Sequence, residues 1–399
     1  MPNESPSVVN SPTSFSLFDD GPLYRLEEKL ALVREGRQRS SRRVLFAVLI
    51  AWVPMLLLAT AQGLAIGPTR LESFLMDFAV NVRCLVSLPV FLLGEAMCGA
   101  QLRRVVQQFF DAGLVKDESL RSFDAAVQDT VSLSRSGRTD ATLVGLAYLH
   151  SAAAFFVFLF ELHISTWRAP MAGGHAVISL AGMWYFLVAF PLYSLLLWRW
   201  LLRIALWWRL LWKASRLDLR LSPSHRDGAG GTAFLSSSVE AFSPFVFGCA
   251  ALVAAGIADF VVYEGASPLD YQWHVAGFVV FLLIVIAGPL LLFMRSLYEA
   301  KEEAAFRYDA LASHQIQRIG NKWLPEGTVP EDNELSMPDF RAMTHLGHSV
   351  AAVHKMSFIP LNKEDVLKLV IIALFPFIPL LATQVPIGEI FSVLLKVLG

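Results

Sequence analysis

Gly182-Met-Trp-Tyr-Phe-Leu-Val-Ala-Phe-Pro191 opens an apolar run that does not stop where its apolar residues thin out. It continues as Trp198-Arg-Trp-Leu-Leu-Arg-Ile-Ala-Leu-Trp-Trp-Arg-Leu-Leu-Trp-Lys213 and closes in a glycine loop, His225-Arg-Asp-Gly-Ala-Gly-Gly231. Neither Gly nor Pro lies between Pro191 and Pro223, so a single helix is expected from about Gly182 to Leu217. At ~1.5 Å per residue it is roughly 50 Å long, against a bilayer hydrocarbon core of ~30 Å. About 20 Å of this helix is therefore expected to project into water.

The rest of the chain has the same character. Hydrophobic residues make up 55% of it and charged residues 17%, with a mean hydropathy of +0.52; soluble domains carry about 25% charge. The apolar residues fall in runs long enough to cross a bilayer. Seven spans are expected, at Val44–Ile66, Phe74–Cys98, Leu143–His163, Val177–Leu197, Phe242–Val262, Val275–Leu297 and Val366–Thr383. Six remain if the last segment is only interfacial. The fold class is an all-α polytopic membrane helix bundle with cytoplasmic helical extensions. Residues 1–18 read as a disordered Ser/Pro-rich tail and 19–43 as a cytoplasmic amphipathic helix. Residues 44–399 form the membrane domain, with cytoplasmic insertions at 99–140, 198–240 and 298–364. The tail Ile387–Leu398 is too short to cross again and is placed flat on the outer interface.

Basic residues set the orientation. With the N-terminus inside, the inner segments hold 27 Lys and Arg and the outer segments only Arg70, Arg168 and Lys396. This bias puts the N-terminus in the cytoplasm and the C-terminus in the periplasm. The net charge of −1 gives no sign of nucleic-acid binding. Cys84, Cys98 and Cys249 fall in apolar runs and read as small buried hydrophobes rather than a disulfide framework.

Ionisable residues within spans are costly and mark functional candidates. Asp77, Asn81 and Arg83 on the second span, Glu161 and His163 on the third, and Asp259 on the fifth all fall in the outer part of the membrane. They are expected to meet. One reading is a path for an ion, a proton or an anionic solute; the other is a structural ion pair of Arg83 with one carboxylate. Glu95 and His150 form a second set towards the inner side, with Glu95 read mainly as a solvated interfacial carboxylate. On the Trp198 helix, Arg199, Arg203, Arg209, Lys213, Arg216 and Arg220 share an arc of about 140° at 100° per residue, suited to pairing with anionic lipid headgroups. His225, Asp227, Gly230 and Gly231 form a loop that matches no nucleotide-binding pattern and reads as a tight connector before a phosphate site. His345, His348 and His354 do not complete a zinc set. No metal, cofactor or catalytic constellation is expected.

Four pieces resemble an uncharacterised family of bacterial inner-membrane proteins. They are Arg83-Cys-Leu-Val-Ser-Leu-Pro-Val-Phe-Leu-Leu-Gly-Glu95, the Trp198–Arg216 helix with Leu217-Asp-Leu-Arg-Leu, the loop with Gly230-Gly231, and Phe358-Ile-Pro-Leu followed by residues 367–381. The resemblance runs from about Asn81 to the C-terminus. Those relatives have His-Pro-Asp where this chain has His225-Arg226-Asp227. No activity is assigned to the family, so the resemblance implies the class and a bacterial inner-membrane location alone.

Three functions compete. The first is a transporter or channel built on the intramembrane charges, acting as a homo-oligomer on a small ion or anionic solute. The second is a non-catalytic platform or sensor whose projecting helices bind a cytoplasmic partner. The third, an intramembrane enzyme, has no visible catalytic group to support it.

Overall fold

Six long apolar helices set the architecture of the computed structural model, which describes residues 40–160, 164–172, 175–323 and 338–381. Among the described residues these are α1 (Ser41–Ala61), α2 (Phe78–Asp111), α4 (Gly137–Phe160), α5 (Leu180–Ala214), α6 (Ser243–Tyr263) and α7 (Pro268–Asn321). The chain is an all-α helix bundle of membrane-spanning type. Three further helices of 12 residues or more accompany them among the described residues, α3 (Asp117–Arg135), α8 (Pro338–Lys355) and α9 (Lys363–Leu374). The only strands described are the two-residue pair Met171–Ala172 and His175–Ala176.

α2 has 34 residues, α5 has 35 and α7 has 54. Each exceeds the ~20 residues a bilayer needs, so each carries its surplus beyond the same, basic end of the bundle. There α3 lies against α5, and α8 folds back on α7. The seventh expected span is described only as far as residue 381. It is helical as α9, a 3-10 turn at Phe375–Phe377 and a last short helix Ile378–Leu381. It packs through Phe377 and Leu380 against Ala250, Ala254 and Ile257 of α6, but it is not among the six long apolar helices. The N-terminal tail and helix and the C-terminal interfacial segment lie outside the described residues.

The core is aromatic and centred on α5. Trp200 is fully buried; its ring stacks on Phe245 at 5.8 Å, and Phe91 lies between Tyr193 and Phe245 at 5.9 Å from each. α2 and α6 meet through glycine. A Cβ on Gly94 would lie 2.4 Å from Pro244 Cβ, and one on Gly248 would lie 2.4 Å from Phe91 Cε1. Without a hydrophobic drive between helices in lipid, such small residues let backbones approach and dispersion hold them.

α2 and α5 share a plan that the sequence reading did not pick up. Asp77 and Ser179 cap them, accepting from Val80 N and Gly182 N. π-helical turns follow at Arg83–Ser87 and Tyr185–Ala189, and then Pro89 and Pro191. The spacings from cap to π turn to proline are identical in the two helices. Proline accounts for the turns. It has no N–H to donate and its ring crowds the carbonyl four residues back, which here belongs to Leu85 or Leu187, inside the π turn in each case. Widening that turn relieves the clash, and π-bulges of this kind recur at functional sites.

Candidate functional site

The N-terminus of α2 gathers most of the expected outer cluster. Asp77 caps the helix and also accepts from Trp167 Nε1 at 2.9 Å and Arg168 Nη2 at 2.6 Å. Asp259, reaching from α6, accepts from the backbone amides of Phe78 (2.9 Å) and Ala79 (3.0 Å). Asn81 donates to the carbonyls of Phe74 and Asp77 and accepts from Trp52 Nε1 at 2.8 Å, which joins α1 to the same knot. Two carboxylates at a helix N-terminus complement its dipole and its unpaired N–H groups. Asp77, Asn81 and Asp259 therefore do meet, as a cap. Glu161 and His163 lie outside the described residues.

Arg83 does not join them, which corrects the expected pair with a carboxylate. Its guanidinium bonds the Tyr185 hydroxyl and lies over the rings of Phe190 at 4.9 Å and Tyr193 at 5.4 Å. No carboxylate lies within ion-pair distance of it among the described residues, and Arg83 Nε has no protein partner. The cation for Asp77 is instead Arg168, which reads in the sequence as an ordinary loop residue. The two π turns bring the partners together, since Arg83 and Tyr185 are the first residues of each.

The second expected set is also rearranged. Glu95 is not solvated: it is 1% exposed and accepts from Arg43 at 2.9 Å and Arg203 at 2.6 Å, with Arg199 at 3.7 Å. Arg199 and Arg203 stand one turn apart on α5 and are buried, so they face protein and not lipid headgroups. Arg209 and Lys213 reach Asp129 of α3 at 2.7 and 2.5 Å, and Arg216 lies 4.0 Å over the Trp212 ring. The Lys213 bond first, with the nearby Arg209 charge, holds the Asp129 carboxyl below the usual carboxylate range. Arg199, Arg203, Arg209 and Lys213 of the basic arc thus serve as the seam between α5, α2 and α3. Sequence pattern missed this because an amphipathic basic face looks the same whether it meets phosphate or carboxylate.

His150 does not reach Glu95, so no proton relay joins them. Its ring meets Phe190 at 5.1 Å and Trp198 at 6.5 Å, both edge-on. It stands with Arg83 around Phe190.

The glycine loop is a structural knot. Asp227 accepts from the amides of Ala229, Gly231 and Ala233, each at 3.0 Å, and meets His225 Nδ1 at 3.0 Å. Gly228, Gly230 and Gly231 have φ of 65°, 66° and 94°, left-handed values that favour glycine. A Cβ on Gly230 would lie 2.9 Å from Met356 Cε, so the loop also seats the chain after α8. Partial burial pushes the Asp227 carboxyl up, but the three amides and His225 outweigh it and hold it below the usual range. Asp227 takes up amides that a phosphate would need. Ser237 and Ser238 bond back to the carbonyls of Phe234 and Leu235, where a 3-10 turn at Ala233–Ser236 leads into the short helix Ser237–Ala241.

The chain is an integral membrane protein whose polytopic helix bundle holds, among the described residues, three polar centres: a cap, an Arg–Glu seam and an arginine among aromatics. Comparison with protein-family profiles, curated proteins and solved structures finds no match.

Proposed function

We propose that the chain is a transporter or channel for a small ion or anionic solute, with Arg83 as the charge that meets it. One observation carries this reading. Among the described polar centres, Arg83 is the cation that aromatic faces and a hydroxyl surround in place of a carboxylate. A charge in the apolar section of a span costs at least ~2.5–3.5 kcal/mol on insertion scales, and a structural role would be served better by a carboxylate partner. Asp77, Asp259 and Glu95 are committed to caps and ion pairs, which leaves Arg83 for a solute. The paired π turns and prolines beside it supply irregular backbone of the kind found at transporter sites.

The charge bias supports an N-terminus in the cytoplasm and a C-terminus in the periplasm. The family resemblance supports a bacterial inner membrane, and in that setting the basic end faces the cytoplasm. The working unit in this reading is a homo-oligomer. The test is flux. Wild-type protein in liposomes is expected to pass chloride or a small organic anion, and Arg83→Leu is expected to abolish that flux while the protein keeps its melting transition. Equal flux in wild type and Arg83→Leu would refute the reading.

A second reading, a platform for a cytoplasmic partner, is favoured by exposed apolar side chains on the projecting part of α7. Phe306 is 78% exposed there, with Leu311 and Ile316 more than half exposed. No flux under any condition, with loss of a co-purifying partner in Phe306→Ser, would favour it.

A further inference from the structure

Four buried polar atoms without a protein hydrogen-bond partner lie along one seam between α2, α4 and α5. They are Arg83 Nε, His150 Nδ1, Ser194 Oγ and Trp198 Nε1. Phe190, Ser194 and Trp198 recur every fourth residue on α5, so they share one face of that helix. The His150 ring contacts the first and last of these side chains, which sets it beside the turn carrying Ser194. The Arg83 guanidinium lies over the same Phe190 ring. Ser194 is fully buried.

Buried polar groups are nearly always paired, and each orphan costs ~1–3 kcal/mol. Four along one seam, with Arg83 and Trp198 towards its two ends about two helical turns apart, share a common explanation. Arg83 Nε–H, Trp198 Nε1–H and the Ser194 hydroxyl are donors, and His150 adds a fourth in the tautomer that carries its proton on Nδ1. No carboxylate stands among them in the described residues. A row of donors ending at a positive charge in a low-dielectric seam is what an anion requires.

We infer that Arg83, His150, Ser194 and Trp198 form a row of donors that binds a small monoanion along this seam: a halide, nitrate or a short carboxylate. The inference rests on the proposed function in taking Arg83 as the charge that meets the solute, and it adds the remaining ligands and the ligand class. Arg83 supplies the charge. Trp198 and Ser194 fix the position from α5, and His150 closes the seam from α4.

The test uses the full chain purified in a non-ionic detergent without added lipid, in a buffer of bulky isethionate. Binding of 36Cl-labelled chloride is read by scintillation proximity, and bromide and nitrate serve as competitors. Thermal stability is read in parallel with and without chloride. Saturable chloride binding that bromide displaces is expected, with a rise in melting temperature on adding chloride. Trp198→Phe removes one donor and no protein hydrogen bond. Without chloride it is expected to melt like wild type, and in binding to weaken by roughly 5–10-fold, the loss of one hydrogen bond. Ser194→Ala should behave alike, and Arg83→Leu should not bind.

Absence of saturable binding by wild type overturns the proposal. So does wild-type affinity in both Trp198→Phe and Ser194→Ala, or displacement by phosphatidylglycerol but not by bromide, which would make the ligand a lipid phosphate. The two readings also separate. Binding without liposome flux keeps this site and removes the conduit, whereas flux in liposomes without chloride binding in detergent keeps the conduit and removes this site.

Discussion

Replacing Glu95 by Gln probes the seam that joins α1, α2 and α5. The substitution keeps the size and one acceptor oxygen but deletes the charge. Glu95 takes charge-assisted bonds from Arg43 at 2.9 Å and Arg203 at 2.6 Å, and Arg199 stands 3.7 Å away. With the carboxylate gone, three guanidinium groups face one another with almost no solvent at the centre, since Glu95 is 1% exposed. Removing one partner of a buried ion pair costs about 3–5 kcal/mol, because the remaining charge is left uncompensated. That is a fall of roughly 10²–10³-fold or more in the folded-to-unfolded ratio. The assay is equilibrium unfolding in mixed dodecylmaltoside–SDS micelles, followed by tryptophan fluorescence. Trp200, on the same helix as Arg199 and Arg203, is a fully buried reporter. The exposed pair Arg295–Glu299 is the control, and Glu299→Gln should leave the midpoint unmoved. If Glu95→Gln unfolds at the wild-type midpoint, Glu95 is not the buried hub of three arginines and the seam is wrong.

Asp227→Ala should release the amides of Ala229, Gly231 and Ala233, and limited proteolysis is expected to cut the loop that is resistant in wild type. Because Asp227 is held below its ordinary pKa, its stabilising contribution is full above the ordinary carboxylate range and lost as pH falls through the lowered value; hydrogen exchange at Gly231 should rise on that acid side and not in mild alkali. Gly94→Ala places a Cβ 2.4 Å from Pro244, whereas at Gly256 nothing lies within 4 Å, so melting temperature should fall sharply for Gly94→Ala and hardly move for Gly256→Ala. Pro89→Ala restores a donor, so the π turn at Arg83–Ser87 should give way to a regular turn and rotate Arg83 off Tyr185; a structure of the variant retaining the Arg83–Tyr185 bond would show that proline is not the cause.

Length and hydropathy by themselves determined that this chain is an all-α membrane helix bundle and that α5 is longer than a bilayer needs. These follow from backbone chemistry, because an unpaired amide in hydrocarbon is so costly that a run of twenty apolar residues has almost no choice but a helix. Proline and glycine positions also held local information, in the equal spacing of Asp77, Arg83 and Pro89 with Ser179, Tyr185 and Pro191. Partner choice was decided only by the tertiary structure. The sequence puts Arg83 near Asp77, Arg203 at an interface and Glu95 at a helix end, and each assignment is chemically sound. The fold instead gives Asp77 to Arg168, Glu95 to Arg43 and Arg203, and Arg83 to an aromatic seam. Which helix faces which depends on rotation about each helix axis, and that rotation is set by close approaches such as Gly94 on Pro244. Charge attracts charge at any register, so ionic residues alone cannot select one; steric fit at the glycines can.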